Sequence, residues 1–113
     1  MTINSKRKGK CGELEAAHAI EQHLGIPARR GQQFSGGADS PDVVIELPGV
    51  HVEVKHTERF NAYTAVAQAR RDGCGQVPLV LHRRNRGEWL AVVPLSELMR
   101  LAELLYLSKA EVT

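Results

Sequence analysis

Residues 40–55 read SPDVVIELPGVHVEVK, and how this stretch divides decides the fold. Val43, Val44 and Ile45 form a β-branched run behind Pro41–Asp42, while Val50, Val52 and Val54 alternate with His51, Glu53 and Lys55. β-branched residues, alternating in the second run, mark strands, and the Pro48–Gly49 pair between the runs marks a turn. The reading is an antiparallel hairpin of DVVIEL and VHVEV, with Pro41 at the position where a strand tolerates proline. Side chains alternate faces along a strand, so His51, Glu53 and Lys55 share one side, with Glu53 and Lys55 about 7 Å apart. Val52 and Val54 turn the other way, toward the core. Pairing through the turn brings Asp42 beside Glu53 or Lys55.

Outward from the hairpin, GELEAAHAIEQHLG reads as a helix. Glu13, Ala16, Ala17, Ile20 and Leu24 recur at helical spacing, and Gly25 and Pro27 end it. ARRGQQF is a candidate first strand, and SGGADSP a Gly/Ser loop. AYTAVAQARRDG reads as a second helix stopped at Gly73. VPLVLHR and EWLAVVP form a second hairpin across RNRG, and LSELMRLAELLYL is a closing helix with an apolar stripe. The order α-β-β-β-α-β-β-α predicts an α/β fold, a single-domain mixed sheet flanked by helices. All 113 residues fall in one domain, with residues 1–10 a basic arm.

The chain is 42% apolar and 25% charged with a net charge of +2, values of a globular protein rather than a disordered or fibrous one. No run reaches the roughly 18 apolar residues that span a bilayer, and the basic N-terminus lacks the apolar segment of a secretory signal. Cys11 and Cys74 lack metal or redox spacing and read as free thiols of a reducing compartment. The expected location is the cytoplasm. Basic residues are clustered: Lys6, Arg7, Lys8 and Lys10 at the start, then Arg29 and Arg30, then Arg83, Arg84 and Arg86. Such clusters suit phosphate contacts, and equally a solvated surface.

An acid–acid–base set on an apolar hairpin calls for a cation. Two adjacent carboxylates repel, and one stays protonated unless a positive charge sits between them. A hard divalent ion held by a few oxygens, its octahedron completed by water, removes the conflict. Lys55 beside it would hold a water or neutralise a phosphate. His51 and His56 raise zinc as an alternative, but a lone His-x-Glu is a weak signal and oxygen ligands favour Mg²⁺ or Mn²⁺. His18, His23 and His82 read as surface or helix-packing residues, and Tyr63 as packing. The last helix (Leu95, Leu98, Met99, Leu101, Leu104, Leu105) reads as core packing, with a dimer contact as the alternative.

PD at 41–42, EVK at 53–55 and the acid of GKCGE resemble the PD-(D/E)xK nuclease superfamily. Within it, the chain is similar to small archaeal-type Holliday-junction resolvases and related short phage endonucleases, from KGKCGELE through Trp89. The resemblance implies the restriction-endonuclease-like fold and the site residues Glu13, Asp42, Glu53 and Lys55. The three acids would organise Mg²⁺, with Mn²⁺ substituting, and Lys55 would assist an attacking water. It also gives Ser35, in FSGGADSPD, a role at the scissile phosphate, and places Gln68 where relatives keep an active-site glutamine. Asp39 competes with Asp42 in this reading and Glu15 with Glu13. Asp42 directly precedes the strand, whereas Glu15 lies about 200° around the helix from Glu13.

The activity so implied is metal-dependent hydrolysis of a DNA phosphodiester, with water attacking in line and the 3′ oxygen leaving. The three basic clusters would grip phosphates, which positions a strand without reading bases. With no evident recognition helix, shape-selective binding of branched DNA is expected, by a homodimer that supplies two cuts. No membrane and no small-molecule cofactor are expected. A nicking, flap-cutting or non-specific phage nuclease, and a non-catalytic DNA-binding module on the same fold, are the alternatives.

Overall fold

The computed structural model describes the backbone of residues 5–31 and 41–110 and the side chains of 11–31 and 41–109. The elements are α1 (Ser5–Leu24), β1 (Ala28–Arg30), β2 (Val43–Ile45), β3 (Val50–His56), α2 (Ala62–Gly73), β4 (Val77–Arg83), β5 (Leu90–Val92) and α3 (Leu98–Ala110), with a 3-10 turn, Leu95–Glu97, before α3. The order matches the one read from the sequence. One five-stranded sheet runs β1-β2-β3-β4-β5. Only the β3–β4 pair is parallel, and the other three pairs are antiparallel. A parallel neighbour needs a crossover, and α2 supplies it.

The alternation of β3 divides the sheet faces. Val50 and Val52 are buried with Val77, Leu79 and Leu81 of β4, and Ala16, Ala17 and Ile20 of α1 join the same cluster; Val54 packs against it. His51, Glu53 and Lys55 pair in register with Pro78, Val80 and His82, and Val80 belongs to the cluster with Ala65 and Ala69 of α2. That second layer is thin because α2 presents a small stripe, Ala65, Ala69 and Gly73, all buried. Asn61 caps the start of α2, accepting the Thr64 N–H at 3.0 Å, and Cys74 ends it in the left-handed region at φ 46°.

The stripe makes the approach close. A Cβ added to Gly73 would lie 2.8 Å from the Cβ of His51 and 3.0 Å from its Cγ. Gly73→Ala therefore forces α2 off the sheet, and is expected to cost about 1–3 kcal/mol of stability, read as a lower urea midpoint. An unchanged midpoint would mean that the helix yields without cost.

Five readings of the sequence change. Helix α1 begins at Ser5, so Ser5–Lys10 continue the helix rather than form an arm; their lysines and arginine are good helix formers. Strand β5 is only three residues long. Tyr63 is 90% exposed and packs nothing. Among the described residues of the closing helix, Leu101 is buried and Leu104 and Leu105 pack against the core, whereas Leu98 and Met99, and Leu95 just before the helix, are exposed. His18 and His23 are exposed as expected, whereas His82 is buried, stacked on Phe60 at 4.0 Å and bonded to the Thr57 carbonyl. Among the described residues, no helix is long and apolar enough to cross a membrane.

Candidate active site

The hairpin brings its acids together through backbone pairing. Val43 bridges Val52, and Asp42, one residue earlier, donates its N–H to the Val52 carbonyl at 3.0 Å. Its carboxylate Oδ2 accepts the Val54 N–H at 2.8 Å. The Asp42 side chain thus caps the strand that carries Glu53, and the two carboxyls share a hydrogen bond.

Burial pushes Asp42 up to about 7; the Val54 N–H opposes this, and the hydrogen bond and charge of Glu53 and the charge of Glu13 add to it. Burial raises Glu53 too, but the His51 and Asp42 hydrogen bonds and the His51 and Lys55 charges outweigh it and hold Glu53 below its ordinary value. The protonated partner is therefore Asp42 and the ionised one Glu53, the split that two crowded carboxyls adopt when a proton does the work of a cation.

Around this pair stand the other expected residues. Lys55 donates to Gln68 Oε1 at 3.0 Å, so the glutamine of α2 does meet the lysine of β3. Glu13, half-buried on α1, is near enough for its charge to act on Asp42. A missing side chain lets α1 in: a Cβ at Gly12 would sit 3.0 Å from the His56 Cβ. Glu15 is exposed and bonds Arg83 at 2.7 Å, which sets it apart from the site. Ser35 and Asp39 lie outside the described residues.

Three features were missed. Arg30, expected as a phosphate grip, pairs its Nε with Glu13 Oε2 at 2.7 Å. Arg83 is similarly committed, to Glu15 and to the Gly87 carbonyl at 2.8 Å. Arg29, Arg84 and Arg86 are exposed, while the side chains of Lys6, Arg7, Lys8 and Lys10 lie outside those described. Second, His51 is 1% exposed, with Nε2 2.7 Å from Glu53 Oε1. Third, Asp72 of α2 joins them: His51, Glu53 and Asp72 each have a ligand atom within 4.8 Å of the others. Among the described residues Glu13, Asp42 and Glu53 form no group that tight, in keeping with the hold of Arg30 on Glu13. The signal for Asp72 lay in its spacing from Gln68, four residues on, which puts both on one side of α2.

The donor set suits a hard cation. Two carboxyls sharing one proton form an oxygen site that a divalent ion can enter by displacing that proton. Comparisons of the chain with protein-family profiles, curated proteins and solved structures give no match.

Proposed function

We propose that the protein is a Mg²⁺-dependent endodeoxyribonuclease of the PD-(D/E)xK superfamily, selective for branched DNA such as Holliday junctions. The observation that carries this reading is the Asp42–Glu53 carboxyl pair with Lys55 beside it, tethered to Gln68. A structural ion pair needs neither the second, part-buried acid nor the lysine tether.

Asp42 and Glu53 would hold the ion, with Glu13 contributing from α1. When bound, Mg²⁺ supplies charge compensation at the phosphate and makes a water more acidic; Mn²⁺ serves in its place. Lys55 Nζ orients the attacking water and donates to the phosphate, and its bond to Gln68 limits the positions it can take. Water adds to phosphorus as the bond to the 3′ oxygen breaks; the water gives up a proton to solvent and the departing 3′ oxygen takes one from it, leaving a 5′ phosphate and a 3′ hydroxyl. Exposed Arg29, Arg84 and Arg86 offer phosphate contacts without base identity. A homodimer through the uncovered face of Leu95, Leu98 and Met99 would place two sites on one junction. The protein would work in the cytoplasm of a bacterial or phage-infected cell.

Because Asp42 holds a proton below about pH 7, ion binding at lower pH must release it. Mg²⁺ affinity is expected to rise roughly 30-fold from pH 5.5 to pH 8 and then level off, by calorimetry in buffers of different ionisation enthalpy. A flat profile would show that Asp42 is not a ligand.

The function itself is tested with a labelled four-way junction and matched linear duplex, in Mg²⁺, Mn²⁺ or EDTA. Cleavage of the junction alone, requiring metal, supports the reading. Equal cutting of duplex keeps the nuclease and removes the branch selectivity. Binding without cutting indicates the non-catalytic module.

A further inference from the structure

Each of the three acids has one oxygen committed to a protein donor. Asp42 Oδ2 accepts from the Val54 backbone at 2.8 Å, Glu13 Oε2 from Arg30 at 2.7 Å, and Glu53 Oε1 from His51 Nε2 at 2.7 Å. A carboxylate can only accept, so the His51–Glu53 contact places the hydrogen on Nε2. The three donors differ in freedom. The Arg30 side chain is 38% exposed and can swing away. His51 is 1% exposed and lies against the Cβ-less face of Gly73, so its ring is held in place. Among the described residues of the site it is the side-chain donor most deeply built into the core.

We infer that His51 is a positioning residue that withholds Glu53 Oε1 from the metal, so that Glu53 binds through one oxygen and the site favours Mg²⁺ relative to Ca²⁺. The chemistry follows from the two ions. Ca²⁺ takes six to eight oxygens and readily uses both oxygens of a carboxylate. Mg²⁺ requires six in a tight octahedron and keeps several waters. A hydrogen bond from a fixed imidazole occupies one lone pair of Oε1 and holds the carboxylate plane, which disfavours the bidentate contact. Ligand-orienting partners of this kind typically change metal affinity about 10- to 100-fold when removed. The inference rests on the assignment of Glu53 as a ligand in the proposed function.

Calorimetric titration of Mg²⁺ and of Ca²⁺ into the full chain tests it, with wild type, His51→Leu, His51→Gln, Asp42→Asn and Asp72→Asn compared after a melting curve shows each folded. His51→Leu is expected to weaken Mg²⁺ about 10-fold or more and Ca²⁺ much less, shifting the ratio of the two constants about 10-fold toward Ca²⁺. His51→Gln, whose amide nitrogen reaches the place of Nε2, is expected to restore that ratio to within about threefold; a residue that only filled space would give no such rescue. If the leucine variant does not fold, His51→Asn replaces it, its amide ending short of Glu53. Unchanged constants in the leucine or asparagine variant, or a folded His51→Gln that fails to rescue, overturn the role of His51 while leaving the metal site standing. Wild type that binds no Mg²⁺, or binding unaffected by Asp42→Asn, overturns the metal site itself. Loss of binding in Asp72→Asn with Asp42→Asn unaffected places the ion on His51, Glu53 and Asp72, and overturns the inference, because His51 would then be a ligand.

Discussion

Asp42→Asn is expected to lower metal-dependent cleavage about 10²- to 10³-fold or more, and at the same time to make the metal-free protein more stable at pH 8 than wild type. The first effect would be the loss of a charge that the transition state of the proposed hydrolysis relies on. The second follows from where the Asp42 proton sits. Its value in the fold, about 7, lies above the ordinary 3.8, so the native state keeps a proton that the unfolded chain gives up. The stabilisation from that proton is complete below pH 3.8 and is lost as the pH rises through 7. Above that, two carboxylates face each other in a buried setting. Asparagine imitates the protonated acid at every pH. Its oxygen accepts the Val54 N–H and its amide donates to Glu53. Because Asp42 is only part-buried and titrates with Glu53 as a pair, the gain is about 1–3 kcal/mol, which is roughly 5–15 °C in melting temperature for a domain of this size. A variant with an equal or lower melting temperature at pH 8 would show that the pair does not repel. Such opposition of stability and activity is expected where charges are gathered for chemistry.

The second large effect is expected at Lys55. Its ammonium is held over the site by Gln68 at 3.0 Å and helps keep Glu53 ionised. Lys55→Met preserves most of the chain length and removes the charge and the donor. Cleavage is expected to fall about 10²- to 10³-fold in kcat, the range for losing one fixed donor to developing charge, with KM for the DNA changed less than about threefold. Single-turnover cleavage with saturating DNA separates the two. A fall in affinity with kcat preserved would make Lys55 a phosphate-binding group outside the chemistry.

The sequence was most readable where period and turn chemistry agreed. The hairpin at 40–55 and the crossover helix at 62–73 were legible because β-branched alternation, Pro48–Gly49 and Gly73 all point the same way. The hairpin alone brought Asp42 beside Glu53 or Lys55, whereas Gln68 was singled out only by the family resemblance, and its bond to Lys55 depends on where α2 sits over β3. The Glu13–Arg30 pair was not legible, because both residues carry a second plausible use and only the packing of α1 beside β1 joins them. Asp72 and the clamp from His51 were hidden for a related reason. They depend on how near α2 sits to β3, and that distance is set by the small stripe Ala65, Ala69, Gly73, which reads locally as ordinary helix. The exposed half of α3 shows the reverse case. Its leucines have the period of a core helix, yet Leu98 and Met99, with Leu95 just before it, stay uncovered, which period alone does not reveal.

The most direct measurement is an anomalous-difference map from a crystal of the full chain grown in Mn²⁺, recorded at the manganese edge. The account predicts a peak between Asp42 and Glu53, touching one oxygen of each and lost in Asp42→Asn crystals. A peak held by His51, Glu53 and Asp72, or no peak at saturating Mn²⁺, would contradict it.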